Sequence, residues 1–113
     1  MHEISLCEGI LRVVEEQAAV QHYRRVKTVW IEVGALAGVE IEALKFGFDV
    51  VMKGTLAEGA RLEIISVAAV ARCDQCGASV MLQQRFDSCP TCGNFPLRLM
   101  AGEGLSVKEL EVV

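Results

Sequence analysis

The sequence predicts an α+β fold, with two helices packed on a small mixed sheet and a zinc-ribbon-like insert before the C-terminal strands. Three observations predict this class. Apolar residues recur every three or four positions over residues 4–20 and 40–53, which is the period of a helix with one buried face. Residues 28–33 alternate, with Val29, Ile31 and Val33 on one face, and residues 61–72 alternate imperfectly, which indicates two strands. Four cysteines then fall between residues 73 and 92, where large apolar side chains are few.

The first helix is predicted over residues 4–20, with an apolar stripe that runs through Cys7 and Val14. Ser5 and Glu8 have the spacing of a capping box, in which each side chain accepts a hydrogen bond from the other residue's amide. Residues 1–4 are therefore predicted to precede the helix, with backbone nitrogens that take no part in helical hydrogen bonds. Because an unpaired cysteine behaves as a small apolar side chain, Cys7 is interpreted as a buried core residue rather than a ligand or a nucleophile.

The later segments complete the predicted body and its insert. The second helix, residues 40–53, ends before Gly54. The long strand 61–72 alternates imperfectly, which favours a bulge near Ile64 and Ile65. Residues 97–100 and 105–113 are predicted to form a β-hairpin, and the last strand is expected to join the sheet of the body, since a lone hairpin is marginal in water. Residues 1–72 together with 97–113 would form the body, and residues 73–96 the insert.

Composition excludes several classes of protein. The 113 residues are 52% hydrophobic and 23% charged, as expected for a globular chain. No apolar run reaches the roughly 18 residues of a membrane span, and no basic segment followed by an apolar core marks a secretory signal, so a cytoplasmic protein is expected. A net charge of −4 and few aromatic residues argue against binding to nucleic acid.

The four late cysteines have the spacing of a metal site. Cys73 and Cys76 are separated by two residues, as are Cys89 and Cys92, and a glycine follows each pair. Two residues between cysteines let both thiolates reach one ion, and the glycine permits the turn that directs amides at the sulfurs. Two such knuckles form a closed tetrahedral site, which zinc prefers. The sequence therefore predicts one structural zinc ion at these four cysteines.

Two other readings of the cysteines carry less weight. A redox Cys-x-x-Cys needs only one pair, and nothing distinguishes one pair as reactive. An iron site of the rubredoxin type would use the same ligands, although closed sites of four cysteines in small inserts usually hold zinc. A closed site has no open position for a substrate, so no chemistry is predicted at this metal.

The N-terminus is a second candidate metal site. A residue as large as His2 generally prevents removal of Met1, so the chain would begin with a free amine, followed by the His2 amide, the Glu3 amide and the His2 imidazole. Nickel(II) and copper(II) both favour square-planar sites built from nitrogen ligands. Many chains carry an early histidine by chance, so chemistry alone makes this a weak signal.

Taken together, these segments resemble the HypA/HybF family of nickel metallochaperones. Met1-His2-Glu3 leads into a helix, and residues 30–34 (WIEVG) lead through a loop to Glu40. Residues 57–59 (AEG) precede a long strand, and the two cysteine knuckles precede the final strands. The resemblance covers essentially the whole chain, and the opening Met-His-Glu together with the late cysteine quartet is specific in combination.

The resemblance implies a function and a set of ligands. Ni(II) would be cargo for [NiFe]-hydrogenase maturation, bound by His2 with the terminal amine of Met1 and the amides of His2 and Glu3. An acidic side chain at the position of Glu40 approaches nickel in some family members. The implied partners are the GTPase HypB and the precursor of the hydrogenase large subunit, and a weak homodimer is left open.

A second hypothesis from another class is kept beside this one. The chain could be a zinc-ribbon adaptor for protein interactions with no nickel role, and the two hypotheses separate on whether His2 binds nickel. An enzyme ranks third, because no nucleophile–base pair and no glycine-rich phosphate loop is found.

Overall fold

The computed structural model describes residues 2–82, 84, 87–95 and 97–113. Within these described residues, two helices and six strands follow one another: α1 (His2–Gln21), β1 (Val26–Gly34), α2 (Ile41–Met52), β2 (Arg61–Val67), β3 (Val70–Arg72), β4 (Ser79–Met81), β5 (Arg98–Ala101) and β6 (Leu105–Val112). The predicted α+β class is confirmed. No helix in the described ranges combines the length and apolar character needed to cross a membrane.

The strands form two three-stranded sheets, in the orders β2-β1-β6 and β4-β3-β5. The predicted hairpin of the last two strands is therefore wrong, because β5 pairs with β3 while β6 lies beside β1. The expectation that the last strand joins the sheet of the body is confirmed. The strand predicted over residues 61–72 is interrupted at residues 68–69, between β2 in one sheet and β3 in the other.

The chain divides into two compact units. The first comprises Met1–Ile31, Val39–Ile64 and Val107–Val113, and holds both helices. The core residues within its ranges are apolar side chains from the helices, from β1 and from the turn after α2: Cys7, Ile10, Val14, Val26, Val29, Ile31, Leu44, Phe48, Met52, Ala57 and Ala60. Cys7 is fully buried, which confirms its interpretation as a core residue.

The second unit comprises Glu32–Gly38 and Ile65–Ser106. Its core is a separate small cluster of Ala69, Ala71, Cys73, Val80, Leu82 and Cys89. β3 pairs antiparallel with β4 and with β5, with an irregularity beside Val70 and Ala71. The predicted insert of residues 73–96 lies within the residue range of this unit, and the strands β3 and β5 that flank it pair with each other.

Three backbone segments of the second unit meet at Gly102. Its φ is +89°, and a Cβ added there would lie 2.6 Å from the carbonyl oxygen of Ala68 and 2.7 Å from the nitrogen of Ala69. A Cβ on Gly34 would in turn overlap the backbone of Gly102. The Leu36 amide donates to the Gly102 carbonyl at 2.9 Å. Side chains are excluded at this crossing, so glycine is required there.

Helix α1 begins at His2, two residues earlier than predicted, and Ser5 is not its cap. Glu3 lies in the first turn, where a negative charge is favourable beside the unpaired amides at a helix N-terminus. The Glu3 carboxylate also accepts a hydrogen bond from the Glu40 amide. Both interactions stabilise the first turn, so the predicted non-helical segment at residues 1–4 is wrong for residues 2–4.

Candidate metal sites

The four sulfur atoms of the cysteine quartet converge on one point. They lie within 4.8 Å of one another. Cys73 Sγ is 3.5 Å from Cys92 Sγ, and Cys76 Sγ is 3.8 Å from Cys89 Sγ. Zinc–sulfur bonds of about 2.3 Å in a tetrahedron place the sulfurs about 3.8 Å apart. The donor set and its spacing therefore fit a single tetrahedral ion.

The two knuckles have the same backbone geometry. Gly77 and Gly93 have φ values of +77° and +76°. The Gly77 amide donates to the Cys73 carbonyl at 2.8 Å, and the Gly93 amide donates to the Cys89 carbonyl at 2.7 Å. Because L side chains rarely adopt this φ, the glycine after each pair is what allows the turn. The sequence-based prediction of this role is confirmed.

The knuckle backbone favours the thiolate at the first cysteine of each pair. Hydrogen bonding from the amide of Cys92, opposed by burial and assisted by the amide of Thr91, lowers the pKa of Cys89 to about 6. The amide of Cys76 lowers the pKa of Cys73 in the same way. These amides stabilise the charged form that a metal requires.

The second cysteine of the first pair behaves differently. The amide of Ala78 favours its thiolate, but burial and the neighbouring thiols outweigh that effect and raise the pKa of Cys76 to about 11. The four thiols cannot all ionise easily at such short separations without a cation. Full deprotonation of the quartet therefore requires a positive ion among the sulfurs.

Two polar contacts at the quartet were not predicted from the sequence. Asn94 Nδ2 donates to Cys92 Sγ at 3.3 Å, and Arg98 forms an ion pair with Asp74 at 2.6 Å. Hydrogen bonds to a ligating sulfur orient it and reduce its charge. One hint of the Asn94 contact was present in the sequence, which is that a side chain with an amide donor directly follows Gly93. Arg98 lies 24 residues from Asp74 and gave no local signal.

The structure also brings together His2, Glu3 and Glu40. His2 Nδ1 is 3.6 Å from Glu3 Oε2, and the same oxygen accepts from the Glu40 amide at 3.2 Å. The His2 side chain is 57% exposed, whereas that of Glu3 is 16% exposed. The hydrogen bond from the Glu40 amide is the largest cause that lowers the pKa of Glu3. The amide of Glu3 itself and the His2 side chain lower this pKa further. Met1, the other predicted nickel ligand, lies outside the described residues.

Glu40 caps helix α2. Its Oε1 accepts from the Glu42 amide at 3.3 Å, and its Oε2 accepts from the Ala43 amide at 3.1 Å. These bonds satisfy two of the amides that a helix N-terminus leaves without partners. Both carboxylate oxygens therefore already serve the backbone, so metal ligation by Glu40 would compete with capping.

The side-chain metal cluster of the described residues lies at the cysteine quartet. Within the part of the chain that the structure describes, Cys73, Cys76, Cys89 and Cys92 form the group of three or more His, Cys, Asp or Glu side chains that could hold an ion. The first amides of α1 have no carbonyl acceptor one turn earlier.

Comparison with known proteins decides the family. The family model "Hydrogenase/urease nickel incorporation, metallochaperone, hypA" matches residues 1–112. The chain belongs to the HypA family. Its similarity to curated relatives extends over the whole length of both chains. It is 54% identical over 112 residues to the hydrogenase maturation factor HypA of Azotobacter chroococcum, covering 99% of each chain. It is 55% identical, with the same coverage, to that of Acidithiobacillus ferrooxidans.

Solved structures of HypA proteins share the fold. The solution structure of the Ni metallochaperone HypA from Helicobacter pylori is matched with a TM-score of 0.75 and 17% identity over 98% of this chain and 97% of that chain. A second structure, the solution structure of HypA protein, gives a TM-score of 0.74. The family is one of nickel incorporation and hydrogenase maturation, and this member carries a four-cysteine metal site.

Proposed function

We propose that this protein binds Ni(II) through its N-terminus and delivers it during [NiFe]-hydrogenase maturation, while a structural zinc ion occupies the cysteine quartet. The observation that carries the proposal is the placement of His2 and Glu3 in the first turn of α1, against Glu40, in a chain of a nickel-incorporation family. The protein then acts as a carrier and catalyses no reaction itself.

The proposed zinc ligands are Cys73, Cys76, Cys89 and Cys92. The sulfur separations and the lowered pKa of Cys89 support them. When bound, zinc stabilises the fold around the knuckles, and the closed set of four thiolates leaves no position for substrate. Of the six residues of the local core, two are alanines and two are proposed zinc ligands, so the metal supplies much of the stability of this unit.

The proposed nickel ligands are the amine of Met1, the amides of His2 and Glu3, and the His2 imidazole. The amides suit this role because the first turn of a helix leaves them without a carbonyl acceptor one turn earlier. An exposed imidazole supports exchange of the ion with a partner, since the cargo must be released. Glu40 is the weakest assignment, because ligation would require it to release Glu42 and Ala43.

The proposed partners follow from the family. They are the GTPase HypB and the precursor of the hydrogenase large subunit, and nucleic acid and membranes are not among them. All five cysteines lie among the described residues and none forms a disulfide there, which fits the reducing conditions of the cytoplasm. A homodimer remains an expectation from the sequence.

The function is tested by restoring hydrogenase activity to cells that lack their own member of the family. The wild-type chain should restore activity, and His2→Ala should not, although its zinc content is unchanged. A large excess of nickel in the medium should bypass the defect of His2→Ala. Full restoration by His2→Ala at low nickel would contradict nickel delivery and favour the adaptor hypothesis.

A further inference from the structure

Helices α1 and α2 approach closely at Gly47. A Cβ added to Gly47 would lie 2.9 Å from Ile4 Cδ1 and 3.5 Å from Cys7 Sγ. The first distance is shorter than real Cβ contacts, so one of the groups must move to admit a methyl group. Gly47 is buried within α2, where glycine costs about 1 kcal/mol relative to alanine. The close approach of α1 is a physical reason for glycine at this position.

A second contact holds α1 in place beside Gly47. Cys7 is fully buried, and its Sγ donates to the Leu44 carbonyl at 3.4 Å. Burial, with smaller contributions from the charges of Glu3 and Glu8, raises the pKa of Cys7 to about 11, so the thiol keeps its proton and remains a donor. The sulfur therefore fixes one turn of α1 against the turn of α2 that contains Gly47.

Glu3 and Glu40 lie on the same faces of the two helices as Cys7 and Gly47. On α1, Glu3 lies one turn before Cys7. On α2, the cap Glu40 lies two turns before Gly47. Ile4, the side chain that a methyl group at Gly47 would displace, directly follows Glu3 in the chain. Because Ile4 Cδ1 is the end of a flexible side chain, the crowding reaches the Glu3–Glu40 hydrogen bond only where the first turn of α1 moves together with Ile4.

We propose that Gly47 is a positioning residue for the nickel site, because its missing side chain lets Ile4 and Cys7 seat the first turn of α1 against the N-terminus of α2. This rests on the proposed function for its nickel consequence, while the Glu3–Glu40 contact can be measured without nickel. Gly47 contacts no proposed ligand and acts through the packing of the two helices.

The test compares three variants. Gly47→Ala introduces the crowding methyl group. Gly9→Ala is the matched control, because a Cβ on that glycine of α1 meets nothing within 4 Å. The double variant Gly47→Ala/Ile4→Val removes Ile4 Cδ1, the atom that the new methyl group would crowd. Thermal unfolding checks that each variant is folded.

Two readouts separate positioning from a general loss of stability. The chemical shift of the Glu40 amide proton reports the hydrogen bond to Glu3, with Glu3→Ala as the unbonded reference. Nickel affinity is measured by calorimetric titration. Gly47→Ala should move the chemical shift of the Glu40 amide proton toward its value in Glu3→Ala. It should also weaken nickel binding about tenfold, which is the lower end of the loss in metal affinity when groups that support a ligand are changed. Gly9→Ala should change neither, and the double variant should restore both.

Each outcome has a definite meaning. The positioning role would be overturned if Gly47→Ala kept the wild-type chemical shift of the Glu40 amide proton and the wild-type nickel affinity. Ile4 would then have rotated away without moving the helix. Equal losses in Gly47→Ala and in the double variant would overturn it as well. If the wild type itself binds no nickel, the proposed function fails, whereas the Glu40 shift still decides the role of Gly47 in placing Glu3.

Discussion

Within each cysteine knuckle, the first cysteine is buried and the second is exposed. Cys73 and Cys89 are 1% exposed, and both have a lowered pKa because knuckle amides donate to them. The exposed Cys92 receives a hydrogen bond from Asn94. This quartet could be predicted from the sequence because its spacing is local, whereas the support by Asn94 depends on a side-chain direction that spacing does not encode.

At the residue scale, Cys89→Ser should lower zinc content and unfold the chain around residues 73–93, because three remaining sulfurs hold the ion weakly and the local core is small. Metal analysis and limited proteolysis measure the two effects. Cys7→Ala is the control, since Cys7 belongs to the core of the other unit and should keep zinc at one per chain. A protease-resistant, zinc-loaded Cys89→Ser protein would contradict the structural role of the metal.

The Glu3–Glu40 hydrogen bond should weaken in acid, because protonation removes the negative charge of the accepting carboxylate. The pKa of Glu3 is lowered in the folded state, so its contribution to stability is present above the ordinary carboxyl pKa of 4.5 and is lost as the pH falls through the lower folded value. In the wild type, the NMR chemical shift of the Glu40 amide proton should therefore change as the pH falls below 4.5. In Glu3→Gln this change should be absent. A shift unaffected by this substitution would assign the titration to another carboxylate.

At the scale of elements, periodicity predicted both helices but not the partners of the strands. The helix limits differ from the prediction by one or two residues, because 3.6-residue periodicity is visible in the sequence itself. The early start of α1 could not be predicted from local capping, since its stabilising partner Glu40 lies 37 residues away. The assignment of β5 and β6 to different sheets likewise depends on pairing across the chain.

The crossing of segments at Gly102 gives a prediction for the second unit. Gly102→Ala should destabilise the protein by at least about 1–3 kcal/mol, because the added methyl group meets backbone atoms that cannot rotate away and because φ is positive. Gly104→Ala is the control, since a Cβ there meets nothing within 4 Å. Denaturant unfolding of both variants measures the difference. Equal stability of the two would show that the crossing relaxes easily.

At the scale of the whole molecule, the cores of the two compact units differ in the size of the side chains that they bury. The first unit buries large side chains such as Phe48, Leu44 and Met52. The second has a core of alanines, cysteines and few larger groups. Removing metal from the quartet with a chelator should therefore abolish hydrogen-exchange protection in β3, β4 and β5 and leave α1 and α2 protected. Uniform loss of protection would contradict a metal requirement confined to the second unit.

The central claim is that nickel binds at the N-terminus and not at the cysteine quartet. The chain has two histidines, which allows a matched comparison. His2→Ala removes the proposed ligand. His22→Asn alters the other histidine, which follows α1 with a φ of 61°, a conformation that asparagine tolerates.

The deciding measurement is nickel titration of the zinc-loaded wild type, His2→Ala and His22→Asn at several pH values. The wild type and His22→Asn should bind one nickel per chain, with an affinity that rises with pH because the amine and amides must lose protons. His2→Ala should lose this binding and keep its zinc. Wild-type nickel binding by His2→Ala would contradict the N-terminal site.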